Sequence, residues 1–472
     1  MIDRREIIDT ASKLSLNPHV VEKDFVLGWV LAGIDWHEAL AGSWIFKGGT
    51  CLKKCYFETY RFSEDLDFTL TDASHIDEAF LQRVFAEIAD WVYEQAGIEL
   101  PHSECRFEIY ANPRGKPSCQ GRLSYRGPVS PSAGGLPRLK LDLSADEVLV
   151  RPPVRVQVFH PYSDAPDGGI HVLSYAYEEA FGEKIRALAE RTRPRDLYDV
   201  INLFRNADAR PSPSALLNTL KEKCAFKGIA VPTLADLEPH RLTLEGAWAS
   251  MLGHQLPALP PMDTFWGELP LFFQWLQSGR APIVQAAYAS APGETLIRDR
   301  SLRLPVSAGI QSHVEIIRFA ASNRLCVDLD YQGSTRRIEP YSLRRTQDGQ
   351  IVLHAVRAAD GENRSYRVDR IAGARATEQT FVPRYEIELT PQGPVHVAPV
   401  AGRGSRLGYS APRTPRAARA RRRATGPMQV YECSLCRKRF YRKARTPELR
   451  PHKNKNGYSC SGRHAIWVGT RR

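Results

Sequence analysis

The spacing of apolar positions changes several times along this chain, and each change marks a different kind of element. Residues 1–40 read as helical, with Phe25, Leu27, Trp29, Val30 and Leu31 following the polar run Glu22-Lys23-Asp24. Trp44-Ile45-Phe46 is a short apolar run that stops at Gly48-Gly49, which predicts a buried strand ending in a tight turn. A helix is expected to open over Leu52 to Tyr56, and a strand from Leu66 to Leu70. Phe80, Val84, Phe85, Ile88, Trp91 and Val92 recur at helical spacing, so 76–96 should be an amphipathic helix. Residues 105–110 and 121–126 read as strands, and a Pro/Gly/Ser-rich loop at 127–137 precedes the alternating stretch Leu-Lys-Leu-Asp-Leu-Ser. Residues 175–206 read as helices, so strands followed by helices predict an α+β domain.

A helical segment follows over roughly 213–280, where Trp248, Trp266 and Trp275 are expected to be core anchors rather than a binding surface. Around 310–390 the pattern turns to short strands: Leu325–Tyr331, Arg337–Leu343, Ile351–Val356, Ser365–Ile371 and Ala374–Glu378. They predict a small separate β-barrel preceded by a helix at 312–322. Residues 393–427 are rich in Pro, Gly, Ala and Arg and read as a flexible linker. The expected partition is 1–210, a helical domain at 211–295, the barrel at 296–392, the linker at 393–427 and a terminal module at 428–472.

Composition is ordinary for a folded protein, with 43% hydrophobic residues. No apolar run approaches ~18 residues and no export signal is evident, so a cytoplasmic protein without membrane spans is expected. Nine cysteines, an odd number, fit reduced thiols plus a metal site near the end. Charge changes the picture more. Residues 403–425 hold eight arginines and no acid, and 428–472 hold twelve basic residues against Glu432 and Glu448. These segments carry +18 of a chain total of +12, so everything before them sums to −6. A mildly acidic body with a basic tail reads as a catalytic body with a polyanion-binding appendage.

The candidate chemistry lies between residues 48 and 142. Asp65 and Asp67 are two apart on a strand and project from one face, with Leu66 and Phe68 directed into the core. Adjacent carboxylates repel, and a divalent cation resolves that conflict. Gly48 and Gly49 allow backbone amides to approach a phosphate closely. Asp142 shares the polar face of its strand with Lys140 and Ser144, offering a third acid to the same cleft. Taken singly, an Asp-x-Asp is usually a solvated turn and a Gly-Gly pair only a turn; their order along the chain is what carries weight. On the later helices, residues three or four apart share a face, so Lys184, Asp196 and Asp199 could present charge together.

The ordered set of strand, Gly-Gly-Thr, helix and Arg-Phe-Ser-Glu-Asp-Leu-Asp-Phe resembles the DNA-polymerase-β-like nucleotidyltransferases. FKGGTCLKKCY, YRFSEDLDFTL, FGEKIRALAERTRPRDLYDVINL and the early VEKDFVLGWVL resemble the AbiEii/AbiGii toxins over about residues 1–280. The resemblance implies that Gly48, Gly49 and Thr50 contact triphosphate and that Asp65, Asp67 and Asp142 hold Mg²⁺ or Mn²⁺. It matches Lys184 and Arg186 to a basic motif and Arg195, Asp196 and Asp199 to an Arg-Asp-x-Tyr-Asp motif, giving Lys184 and Asp199 catalytic roles facing the nucleotide. Ser63, Arg186 and Arg195 are then expected on the nucleotide. The chemistry implied is attack of an RNA hydroxyl, such as a tRNA 3′ end, on an NTP, in a toxin neutralised by a separately encoded antitoxin. A nucleic-acid-binding regulator with a degenerate transferase scaffold, or transfer to a protein hydroxyl, are the other readings.

Residues 313–385 resemble a WYL domain, although the name-giving tripeptide is Ile351-Val352-Leu353. The resemblance implies an Sm/SH3-like barrel sensing nucleotide, DNA or RNA, with Arg336, Arg337, Arg344, Arg345, Arg367 and Arg370 as a phosphate-binding face. Cys433, Cys436, His452 and Cys460 make a four-ligand set suited to structural Zn²⁺. His464 competes for the histidine position, and the likeness to zinc-ribbon tails favours His452. About 45 residues cannot build a stable core alone, so a metal is needed there. Phe440, Tyr441, Tyr458 and Trp467, interleaved with basic residues, suit base stacking.

Overall fold

The computed structural model describes residues 2–57, 61–129, 135–206, 209–279, 288–289, 291–297, 310–389, 428–442, 447–449, 452–453 and 459–471. It divides into two compact units, Met1–Val400 and Ala401–Arg472. The expected linker at 393–427 lies outside the described residues, as does Tyr458.

The first unit opens with helices α1 (Arg4–Leu14), α2 (Pro18–Trp36) and α3 (Glu38–Ala41), capped where the sequence allows it. Asp3 accepts from Arg5 N at the start of α1, and Asn17 accepts from His19 N ahead of Pro18. Strand β1 (Trp44–Lys47) leads into α4 (Gly48–Cys51), so the helix begins at Gly48 rather than at Leu52; a π-helical turn, Leu52–Tyr56, continues it. Then come β2 (Asp65–Leu70), α5 (Glu78–Ala96), β3 (Cys105–Ala111), β4 (Pro117–Ser124), β5 (Arg138–Ser144), β6 (Val154–Val158) and β7 (Ile170–Ser174). The seven strands form one sheet in the order β3-β4-β5-β2-β1-β7-β6. β2 runs parallel to β5 and β1 parallel to β7, while β1 and β2 are antiparallel.

The two faces of this sheet are packed differently. One face carries Phe46, Leu66, Phe68, Phe107, Leu123, Leu141 and Leu143 into a core with α1, α2 and α5. The other face packs Ile45 and Tyr175 into a second core with α6 (Tyr177–Arg191), α7 (Pro194–Arg205) and α8 (Pro213–Lys227). Short α9 (Leu234–Leu237), α10 (Arg241–Leu252), α11 (Met262–Trp266) and α12 (Leu269–Ser278) complete that layer. Trp248, Trp266 and Trp275 are buried in it, as expected of anchors. No residue of β3, β4 or β5 belongs to this second core among the described residues.

The later described strands of the first unit are β8 (Thr295–Leu296), β9 (Leu325–Tyr331), β10 (Ser334–Arg345), β11 (Ile351–Arg357), β12 (Asn363–Arg367) and β13 (Ile371–Thr380), with α13 (Ile310–Ser322) ahead of β9. Their order is β12-β11-β10-β9-β13, and β8 pairs β10. A bulge between Pro340 and Ser342 bends β10, the device that lets one long strand serve a curled sheet. This sheet is less separate than the sequence suggests. Val314, Ile317, Leu325, Leu353 and Val368 belong to the same core as Phe204, Phe272 and Trp275. Glu268 on the loop before α12 bridges Arg205 and Arg324, both at 2.6 Å. The signal was invisible in sequence because each half of that core also reads as self-sufficient.

The second unit is a three-stranded sheet, β15-β14-β18, of β14 (Met428–Cys433), β15 (Arg439–Arg442) and β18 (Ala465–Arg471), beside a small β16–β17 pair (His452–Lys453, Ser459–Cys460). No helix among the described residues is long and apolar enough to cross a membrane.

Candidate active site

Strand register assembles the acids. β1–β2 pairing sets Lys47 opposite Asp67, and β2–β5 pairing sets Asp67 opposite Asp142 and Asp65 opposite Lys140. Leu66 and Phe68 are fully buried on the reverse face, which fixes the direction of both aspartates. Burial and the neighbouring Asp142 push the Asp67 carboxyl up to about 6; Asp65 adds to this, and Lys47 and Lys184 oppose it. Asp142 is raised too, by burial and by Asp65, against Gln120, whose amide lies 3.4 Å away. Three acids on one face, short of compensating charge, have the electrostatics of a cation site.

The glycine turn is built around these acids. Gly48 has φ +81°, and a Cβ there would lie 2.0 Å from the Asp67 Oδ2. A side chain at this position is therefore excluded both by backbone conformation and by the carboxylate itself. A Cβ on Gly49 would meet Arg61 Nη2 at 2.4 Å and Ser63 Oγ at 3.1 Å. Thr50 is buried and its hydroxyl donates to the carbonyl of Asp65, tying the turn to the acid-bearing strand.

Behind the acids lies a buried ion cluster. Arg61 donates Nε and Nη2 to the two oxygens of Asp199, each at 2.7 Å, and Nη1 to Gln255 at 3.2 Å. Lys184 Nζ is 2.7 Å from Asp199 and 3.6 Å from Asp196, and Arg191 grips Asp196 twice at 2.8 Å. Burial alone would raise Asp199, but Arg61 and Lys184 hold it well below the usual carboxylate range. Lys184 and Asp199 are thus buried partners, and the charge of Lys184 reaches Asp67. Arg186 is buried and paired with Glu190, whereas Arg195 is half-buried with Nε 3.3 Å from the Met251 carbonyl.

Sequence reasoning missed Lys47 and Arg61. Lys47 lies 3.7 Å from Glu147 and 3.9 Å from Glu183, next to Asp67. Its place directly before the glycine pair was the available signal. No spacing rule connects Arg61 with a partner at position 199. The early Glu22-Lys23-Asp24 run also proves to be part of the frame. Glu22 accepts from Val129 N at 2.6 Å, Lys23 pairs with Glu64 at 2.6 Å, and Asp24 pairs with Lys54 at 2.7 Å.

In the second unit, the ligand atoms of Cys433, Cys436, His452 and Cys460 all lie within 4.8 Å of one another. The Cys433 and Cys460 sulfurs are 3.8 Å apart, and Cys436 Sγ is 3.4 Å from His452 Nε2. A tetrahedron with metal–sulfur bonds of about 2.3 Å has edges of about 3.8 Å, so the spacing fits zinc. Burial raises the Cys433 thiol, but amides of Cys436 and Leu435 directed at it bring it down to about 6, favouring thiolate. A Cβ on Gly462 would sit 2.6 Å from the Cys433 sulfur, so only glycine leaves the sulfurs room. His464 lies outside the group and pairs through its backbone with Glu448. Phe440 packs edge-on against His452 at 5.0 Å, which ties it to this cluster.

Three of the six arginines expected as a face on the barrel are held by carboxylates. Arg337 chelates Asp328 at 2.8 and 3.0 Å, Arg344 is buried against Glu388 at 2.5 Å, and Arg367 chelates Asp369. Ile351, Val352 and Leu353 are all buried in β11.

A family model described as "Nucleotidyl transferase AbiEii toxin, Type IV TA system" matches residues 29–278, more than half of the 472 residues. A second, described as "WYL domain", matches residues 312–376. No curated protein matches the chain. Among solved structures, the chain is similar to MenT4, a nucleotidyltransferase toxin from Mycobacterium tuberculosis H37Rv, with 17% identity and a TM-score of 0.29, over 53% of this chain and 100% of that one.

Proposed function

The chain belongs to the AbiEii nucleotidyltransferase toxin family, and from that premise we propose that it transfers a nucleotide from an NTP to an RNA hydroxyl, with Asp65, Asp67 and Asp142 as magnesium or manganese ligands. The observation that carries this reading is the cross-strand row in which Asp67 stands between Lys47 and Asp142, its carboxyl lifted to about 6. Bound divalent metal would supply polarisation of the acceptor hydroxyl and neutralisation of the departing pyrophosphate. The chain's own groups do the rest. Gly48 and Gly49 keep the turn free of side chains, so backbone amides can reach the triphosphate beside Asp67. Thr50 fixes that turn to β2, and Ser63 and Arg195 are the remaining nucleotide-side groups. Arg61, Lys184 and Asp199 support the acids from behind, and Arg186 lies within the same helix layer.

In the same reading the protein acts as a toxin held in check by a separately encoded antitoxin, and the WYL domain is the sensor of a nucleotide or nucleic acid. The Cys433, Cys436, His452 and Cys460 set would hold structural zinc, and the basic second unit would gather RNA. The deciding experiment incubates the full-length protein with each α-³²P-NTP, Mg²⁺, and either bulk RNA or total protein. Label in RNA is expected. Label in protein alone would move the acceptor to a protein hydroxyl, and no label in either would return the body to a scaffold.

A further inference from the structure

We propose that the open half of the catalytic sheet is the track on which a single-stranded RNA end lies, its phosphates over Lys140, Arg122 and Arg106 and its terminal hydroxyl delivered to Asp65. This rests on the RNA-directed transfer proposed above and says which surface recognises the acceptor.

The strand register builds the track. Asp65 on β2 is opposite Lys140 on β5, Lys140 is opposite Arg122 on β4, and Arg122 is opposite Arg106 on β3. Directly opposed residues share a face, so one row runs from a proposed metal ligand through three cations to the sheet edge. With strands about 4.8 Å apart, the row spans about 14 Å. The next row holds Asp67, Asp142, Gln120 and Glu108. The proposed metal acids thus lie at the inner end of the cation row, with Asp142 beside Lys140 and Glu108 at the sheet edge.

Along this row the face is open among the described residues, between the buried Ser118 and Ser124 on the same face of β4. The helical layer of α6–α12 packs over the part of the sheet that holds Ile45 and Tyr175 and takes nothing from β3, β4 or β5 among the described residues. Lys140, Arg122, Arg106 and the flanking Arg138 are exposed, while Leu139, Leu141, Leu123 and Phe107 between them are buried. Two carboxylates flank the row: Asp142, whose charge Lys140 partly offsets, and Glu108, 3.9 Å from Arg122 with both side chains largely in water, a geometry that binds weakly. Arg337, Arg344 and Arg367 of the barrel show what a consumed arginine looks like here, and these cations are not consumed in that way.

A basic row on a body whose net charge is −6 is a local exception that a polyanion would find. Tyr110, 46% exposed on the same face of β3, adds an aromatic surface of the kind on which bases stack, which favours nucleic acid over an acidic protein.

The test measures transfer by the full-length protein to a twelve-nucleotide RNA, comparing wild type with Arg106→Glu/Arg122→Glu/Lys140→Glu. The acceptor KM should rise at least tenfold. The salt slope of log kcat/KM should fall by about 2, the value for three lost phosphate contacts on a single strand. The KM for NTP should stay within twofold, and so should the kcat at saturating RNA in Arg106→Glu/Arg122→Glu, which spares Lys140 beside Asp65 and Asp142. The glutamine triple variant, which keeps the shape and removes only the charge, should give the same signs at smaller size, and it guards against a folding defect in the first. Equal acceptor KM and equal salt slope in wild type and both variants would overturn the track while leaving RNA transfer intact. So would an unchanged KM with loss of binding to an acidic partner protein, which would assign the row to that partner. No transfer by wild type itself would instead remove the reading on which the track rests, and the track with it.

Discussion

In the first unit, three carboxylates are brought together by strands whose reverse face is buried under α2 and α5. In the second, three thiols and an imidazole are brought together by short strands, and the buried cluster around them is Tyr431, Leu449 and Ala465 with the cysteines themselves. Both are crowds of metal-ligand groups, yet cause and effect run in opposite directions. The sheet rests on a large apolar core that includes Phe46, Leu66, Phe68 and Leu141, and carries the repulsion of Asp67, Asp65 and Asp142 as a local cost. The small unit has little apolar surface among the described residues to hold its ligands in place, so there a bound ion would have to hold the fold.

The sharpest way to break this contrast is to withdraw zinc. A structural site contributes on the order of 10 kcal/mol to folding. Chelation, or Cys433→Ser or His452→Ala, should release about one equivalent of zinc and make residues 428–471 protease-sensitive. His464→Ala should release none. The unfolding midpoint of the first unit should not move, as read by its tryptophan fluorescence. A coupled fall of that midpoint would show that the two units do not differ as argued.

Asp67→Asn comes next. It should lower transfer by on the order of 10³-fold while making the metal-free body more stable at pH 7. The sign follows from the raised carboxyl. The unfolded chain ionises near 3.8 and the folded one near 6, so folding stability contributed by Asp67 falls as pH rises between those values and stays low above them. Asparagine removes that loss, worth up to about 3 kcal/mol, and the gain should vanish below about pH 4. Thermal melts of both proteins in EDTA at pH 3.5 and pH 7 check it; a destabilised variant at pH 7 would mean that the acids are not in conflict.

The smallest effect is expected from Arg61→Ala. It strips two hydrogen bonds from the buried Asp199 but leaves Lys184 2.7 Å away, so the loss should sit near the lower end for a broken buried pair, about 3 kcal/mol. Urea melts should show it in the first unit with zinc content unchanged. A neutral substitution would demote the cluster to an ordinary surface ion pair.

The sequence made the acids legible because each lies on a strand whose alternate positions are unmistakably apolar. Leu66 and Phe68 point Asp65 and Asp67 outward, and Leu139, Leu141 and Leu143 do the same for Asp142. Family resemblance then supplied the order of the parts. Strands β6 and β7 were not foreseen. Val154–Val158 is an edge strand with mostly exposed or half-exposed positions after two prolines, so its apolar signal is weak. Ile170–Ser174 follows a turn-rich stretch and pairs with β1, far back in the chain. Charge was the least legible feature. Lys184, Asp199, Arg337 and Arg344 looked alike as polar positions, and only tertiary partners separate a buried strut from a side chain free to meet a ligand.

The core shared by α12 and α13 bears on how the chain can be cut. The two family matches end and begin at residues 278 and 312, which invites an expression boundary between them. Phe204, Phe272 and Trp275 nevertheless share one apolar interior with Val314, Ile317 and Leu325, and Glu268 is clasped by an arginine from each side. A boundary of homology here is not a boundary of cooperativity: the segment matched as a WYL domain forms one wall of the interior that α7 and α12 also line, and a minimal enzyme cut at the homology boundary would turn the facing apolar surface into solvent.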